Sequence, residues 1–273
     1  YRLSFDEIME CTDLGYGLGF RTFVLQGGED PFFTDDYMCE IIRAIKQRHA
    51  DCAITLSIGE KSHEAYVKFY EAGADRYLLR HETINSEHYS KIHSPSQSIA
   101  TRVECLKDLK SIGYQVGCGI MIGSPYQTVD NIVEDLLFMK SFQPHMIGMG
   151  PFIANHDTPF ADMPNGKLED TLHVLAITRL MQPNALLPAT TALGSINKTG
   201  REQGILAGGN VVMPNLSPTS VRAKYALYDG KICTGDEAAE CIMCLTRRVE
   251  TTGNHIANVR GDSKVEFKDK STL

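Results

Sequence analysis

The chain has no run of basic residues, no uninterrupted apolar stretch near the roughly 20 residues of a membrane helix, and no signal-like start. Each absence excludes something. Thirty-four acidic residues outnumber 27 basic ones, for a formal charge of −7, so nucleic acid is not expected as a partner. The opening YRLSFDEIME lacks both the charged and the apolar region of an export signal, and with no membrane span a soluble, cytoplasmic protein is expected, or one of an organellar matrix. Eight cysteines in 273 residues are too sparse for a disulfide scaffold, and such a compartment keeps them reduced. Cys11, Cys39, Cys52 and Cys105 have no ligand spacing and read as small buried residues. No fixed-period repeat, low-complexity segment or linker appears, so one domain over residues 1–273 is expected, 42% hydrophobic and large enough for a single core.

What is present is an alternation. Short apolar, β-branched runs fall at Arg21 to Leu25, Ala53 to Ser57, Arg76 to Leu79, Gln115 to Met121, Met146 to Met149, Leu187 to Thr191 and Asn210 to Met213. Between them lie amphipathic segments at Asp35 to Arg48, Glu64 to Glu71, Ala100 to Ile112, Val129 to Lys140, Glu169 to Met181 and Gly200 to Ala207. Strand and helix in turn signal βαβ units and a parallel sheet, hence an α/β fold of the (β/α)8 TIM-barrel type. The barrel would occupy about residues 1–215 and a C-terminal extension about 216–273. The chain opens on a helix, since Ser4 and Glu7 form a capping box. In a right-handed barrel each helix follows a strand, so a leading helix with seven strands after it places the first strand ahead of Tyr1.

Barrel sites are built from loops at the C-terminal strand ends. Here these are polar and glycine-rich: Gln26-Gly27-Gly28-Glu29-Asp30, Ser57-Ile58-Gly59-Glu60, Arg80-His81-Glu82-Thr83, Gly123-Ser124-Pro125, Gly148-Met149-Gly150-Pro151, Thr190-Thr191 and Met213-Pro214-Asn215. Taken singly, any of them is ordinary turn chemistry. Arg80 and Glu82, two apart at a strand end, point to the same side and offer a guanidinium with a carboxylate. That is either a rim ion pair or a clamp for a ligand bearing a carboxylate together with an amine or hydroxyls, as an amino acid conjugate does. The tail carries Cys233, Cys241 and Cys244, a C-x7-C-x2-C spacing suited to iron-sulfur ligation; zinc, with His255 as fourth ligand, or uncoordinated thiols are the alternatives.

The motifs LQGGEDPF, TLSIGE, GADRYLLRHET, MIGSPYQT, GMGPFIANHDTPF, PATTALG and GGNVVMPN, with the cysteine tail, resemble the HydE-type FeFe-hydrogenase maturases. These are radical S-adenosylmethionine (SAM) enzymes related to biotin synthase and methylornithine synthase, and the resemblance runs from about Arg2 to about Arg248. It implies a barrel enclosing SAM above a 4Fe-4S cluster held by a C-x3-C-x2-C loop, a spacing absent from this sequence. It further implies SAM contacts at Gly27, Gly28, Glu29, Ser57, Glu82, Arg102 and Met213, with Arg80 as a neighbour. An anion-binding end is implied at Arg76, Thr190 and Thr191, and an accessory 2Fe-2S cluster at Cys233, Cys241 and Cys244. The implied chemistry is reductive cleavage of SAM to a 5′-deoxyadenosyl radical acting on an iron-cysteine precursor, alongside other maturation proteins and an electron donor. This chain alone, without the cluster loop, is expected to be inactive. A methylornithine synthase-like amino acid mutase and a non-catalytic SAM-binding barrel are the other readings.

Overall fold

The apolar segments pair side by side and all run the same way. In the computed structural model, which describes residues 1–225, 227–232 and 242–266, one parallel sheet contains β1 (Thr22–Gln26), β2 (Ala53–Ser57), β3 (Arg76–Leu78), β4 (Gln115–Ile122) and β5 (Met146–Pro151) in chain order. A helix between consecutive parallel strands puts every crossover on one face, and the sheet curls into part of a barrel. β5 is buried along its whole length, as a strand covered on both faces must be. The last two expected strands continue the curl only as single parallel bridges, Met146 with Leu186 and Pro188 with Val211. Pro188 has no N–H to extend a ladder, and Thr191 already begins a helix.

The helices are α1 (Phe5–Gly17), α2 (Asp35–Arg48), α3 (His63–Ala72), α4 (Ser86–Ile92), α5 (Ile99–Ile112), α6 (Val129–Phe142), α7 (Leu168–Met181), α8 (Thr191–Ile196), α9 (Gly200–Leu206), α10 (Thr219–Arg222) and α11 (Ile242–Glu250). Ser4 and Glu7 close the expected capping box of α1. α2 has Thr34 as its cap, Asp35 and Asp36 in its first turn and Lys46 and Arg48 in its last, each sign at the end of the helix dipole that favours it. Its Ile41, Ile42 and Ile45 pack with Leu106 and Leu109 of α5 and with Ile54, Leu56, Val116 and Ile120 of the sheet in one core. No helix among the described residues is long and apolar enough to cross a membrane.

Beneath the sheet, residues 254–266 strap the N-terminal ends of the strands. The Arg260 carbonyl accepts from Thr22 Oγ1 (2.6 Å) and Arg76 Nη2 (2.9 Å). Asp262 Oδ1 accepts from Arg76 (2.8 Å) and Gln115 (2.9 Å), and the Arg260 guanidinium reaches Asp75 (2.7 Å). Burial pushes the Asp262 carboxyl up, but Arg76, Arg260 and Gln115 outweigh it and hold it below the usual range. Its contribution is therefore present above the unfolded carboxyl pKa and lost as pH falls through the lower folded one. Asp262 is 44% exposed, which screens the pair, whereas the Arg76 side chain is 5% exposed and would be left short of a partner. Asp262→Ala is expected to destabilise by about 1–2 kcal/mol, between the exposed and buried limits, read as a lower urea midpoint at neutral pH that converges with the parent in acid.

Candidate functional site

At the C-terminal ends of β1, β2 and β3 the expected residues meet in a continuous series of contacts. Gly27 N–H donates to the Ser57 carbonyl (3.1 Å), which joins the first two loops. Two residues on, the Glu29 carboxylate accepts from Glu60 N–H (3.0 Å). Gly59 makes this approach possible: its φ is +81°, and a Cβ there would lie 2.1 Å from Glu29 Cγ. The Glu60 carboxylate takes Arg102 Nε (2.5 Å), Arg102 Nη1 donates to the Arg80 carbonyl (3.0 Å), and Arg80 Nη2 meets Glu82 Oε2 (3.1 Å). Burial works against the Arg102 charge, but Glu60 more than compensates and shifts the guanidinium upward.

Glu82 has φ +62°, left-handed backbone that non-glycine residues enter at a cost of about 1–3 kcal/mol and keep only where the surroundings impose it. Its N–H is held by the Gly119 carbonyl (2.9 Å). Two buried polar atoms near this series have no hydrogen-bond partner among the described residues: Arg80 Nε and the hydroxyl of Tyr89, whose ring stacks on His93 at 3.8 Å. Burial raises the Tyr89 pKa, and Arg102, Glu60, Glu82 and Glu29 all act on it by charge. Tyr89 was not legible as a site residue, and Glu60, though in the loop after β2, was not singled out because its partner Arg102 lies 42 residues away.

The other expected residues fall elsewhere. Met213 is 38% exposed beyond the last bridge. Arg76 does not join Thr190 and Thr191, which corrects the expected anion-binding end. Arg76 is in register with Gln115 at the start of β4, while Thr190 lies beyond Leu186, which Met146 places in register with Gly117. The threonines are therefore roughly 20 Å farther along the strand direction, level with the Glu82 end. The Arg76 guanidinium is taken up by the strap, and the cation beside Thr191 is Arg201 (3.4 Å). Arg76 instead lines a cavity of about 10 Å³ with Thr55, Gln115 and His145, room for a single water. Burial there lowers the His145 pKa to about 4.

Cys11, Cys39, Cys52, Cys105 and Cys118 are free thiols, and burial raises the pKa of each, as suits packing residues rather than thiolate ligands. Cys244 is exposed in the first turn of α11 and disulfide-bonded, and Cys233 and Cys241 lie outside the described residues.

With this geometry in hand, likeness to known proteins is informative. The radical SAM superfamily profile matches residues 1–139. Over 268 residues, 98% of this chain and 76% of the relative, the sequence is 43% identical to the [FeFe] hydrogenase maturase subunit HydE of Thermotoga maritima. The chain belongs to the HydE-type family of radical SAM enzymes. It is also 29% identical over 255 residues to 3-methylornithine synthase of Methanosarcina acetivorans, spanning 93% of this chain and 71% of that one. The crystal structure of methylornithine synthase superposes with a TM-score of 0.79 at 27% identity, covering 94% of this chain and 74% of that one.

A HydE-type radical SAM enzyme uses SAM and a 4Fe-4S cluster. The residues here fit the first. Glu29 and Glu82 are acceptors for an amine or hydroxyls, Arg80 is a donor with a buried N–H to spare, and Gly27 and Gly28 leave open space where a side chain would stand. They do not fit the second, because no group of three or more His, Cys, Asp or Glu able to hold a metal occurs among the described residues.

Proposed function

We propose that the series from Gly27 to Glu82 is the SAM pocket of a hydrogenase maturase. The observation that carries this reading is the Glu29–Glu60–Arg102–Arg80–Glu82 series at the strand ends of a chain so similar to HydE. Arg80 pairs with the methionyl carboxylate, Glu29 and Glu82 accept from the amine and the ribose, and Glu60 holds Arg102 in place behind them. Ser57 and Met213 complete the ribose and adenine ends. Bound SAM is the source of a 5′-deoxyadenosyl radical. The protein's part is to orient it beside the substrate and to keep water away, which curled strands with polar ends are suited to do. The substrate is a small iron complex carrying cysteine, with Thr190, Thr191 and the nearby Arg201 offering donors to its anionic groups. Cys233, Cys241 and Cys244 hold an accessory 2Fe-2S cluster when reduced. The protein works in the cytoplasm with an electron donor and other maturation proteins.

The chain as it stands is expected to bind SAM without releasing 5′-deoxyadenosine. Placed behind a C-x3-C-x2-C loop and reconstituted with iron and sulfide, it is expected to release it and to restore hydrogenase activity in a host lacking the maturase. Rearrangement of an amino acid with no hydrogenase recovery would favour a mutase, the reading to which the methylornithine synthase superposition points. Binding without cleavage even then would leave a non-catalytic barrel. Cys244→Ala is expected to remove the visible iron-sulfur absorption that the reduced chain gains with iron and sulfide; unchanged absorption would dismiss the tail cluster.

A further inference from the structure

Between Arg80 and Glu82, beyond the end of β3, His81 packs against Phe138 of α6. Its side chain is 0% exposed, as is that of Asp135 on α6, and the two stand 3.4 Å apart between Nε2 and Oδ1. Gly119 N–H donates to His81 Nδ1 (3.4 Å), while His81 Nε2 and Asp135 Oδ2 have no hydrogen-bond partner among the described residues. The other Asp135 oxygen, Oδ1, accepts from Ile84 N–H at 2.5 Å. Asp135 Oδ1 thus lies against the residue just before Glu82 and accepts from the backbone two residues after it. Phe138, one turn along α6, packs edge-on against the His81 ring at a centroid distance of 5.0 Å and fills the space beside the pair. Thr83 N–H closes back on the His81 carbonyl (2.8 Å), and Thr83 Oγ1 takes Asn85 N–H (3.2 Å), so the segment has little freedom outside this arrangement.

A buried ionisable pair away from the ligand side is expensive to keep for stability alone, since well-packed apolar residues usually serve as well. The pair flanks a glutamate held in left-handed backbone, φ +62°. We propose that His81 and Asp135 are positioning residues for SAM: Asp135 brackets residue 82 and aims the Glu82 carboxylate, with Arg80, at the ligand. This rests on the reading of Glu82 as a SAM contact and adds a device in α6, more than 50 residues away in sequence, that makes the contact productive.

The test is a double-mutant cycle with calorimetric titration of SAM and S-adenosylhomocysteine into the chain, and thermal unfolding measured alongside. Asp135→Ala is expected to weaken SAM binding about tenfold in the parent and to have almost no further effect in Glu82→Ala, while lowering the unfolding temperature equally in both backgrounds. Asp135→Asn, which keeps an oxygen for Ile84 N–H and the side-chain volume, is expected to fall between and to serve if the alanine variant does not fold. Equal loss of SAM affinity with and without Glu82, or full affinity in a folded Asp135 variant, would overturn the bracket. No SAM binding by the parent, or none lost in Glu82→Ala, would instead overturn the pocket on which it depends.

Discussion

Replacing Glu82 by alanine is expected to weaken SAM binding about 30-fold, equivalent to roughly 2 kcal/mol for a hydrogen bond to a charged group. The Glu82 side chain is 16% exposed and its partner Arg80 34%, so the carboxylate is shielded enough for its loss to count and open enough to meet a ligand. Glu82→Gln keeps the shape and one acceptor and should recover part of the affinity. Glu82→Gly separates binding from stability. Glycine adopts φ +62° without strain, so this variant should be as stable as the parent or slightly more so, while binding SAM as poorly as the alanine variant. Calorimetric titration and thermal unfolding on the same samples decide it. An affinity unchanged in Glu82→Ala would remove the residue from the pocket.

The second large effect is on folding. A Cβ on Gly119 would lie 2.0 Å from the carbonyl oxygen of Gly148 and 2.8 Å from its carbon, that is, inside the backbone of the neighbouring strand. A clash with a flexible side chain is relieved by rotation. This one requires β4 and β5 to separate along an eight-residue strand whose partners run from Gly117 with Met146 to Ile122 with Pro151. Gly119→Ala is therefore expected to cost about 3 kcal/mol or more, at the upper end of overpacking effects, and to lower the unfolding temperature by roughly 10 °C. Gly148→Ala is the control. Its Cβ would stand 3.8 Å from the Cys118 carbonyl oxygen, an ordinary contact, and its midpoint should move by only a few degrees. Equal shifts in the two variants would contradict the close approach.

What could be read beforehand was what local chemistry encodes. α2 occupies Asp35–Arg48 as its apolar period foretells, and α1 begins at the Ser4 box. The parallel strand order follows from alternation alone; Arg80 and Glu82 do pair, but beyond the end of β3 and with Glu82 in left-handed backbone rather than through a strand's two-residue period. α4 and α8 were not anticipated, because seven and six residues are too few to show a helical period. The last strands were read as longer than they are because apolar content says nothing about which N–H groups find partners, and Pro188 withholds one. The grouping of Arg76 with Thr190 and Thr191 failed on register, a property of pairing between segments that no single segment carries. For the same reason the pairings of Glu60 with Arg102, 42 residues apart, and of Asp135 with Ile84, 51 apart, came to light only once the chain was folded.

The strap under the strands has a consequence in time rather than in structure. Its bond from Thr22 to the Arg260 carbonyl joins positions 238 residues apart, and its other partners, Asp75, Arg76 and Gln115, sit at strand starts that must already be aligned before Arg260 and Asp262 can reach them. Contacts with such a large loop-closure cost form late, after the rate-limiting step of assembly. Interactions of that kind leave the speed of folding almost untouched and set how quickly the native state comes apart, so the strap acts as a latch on the lifetime of the barrel.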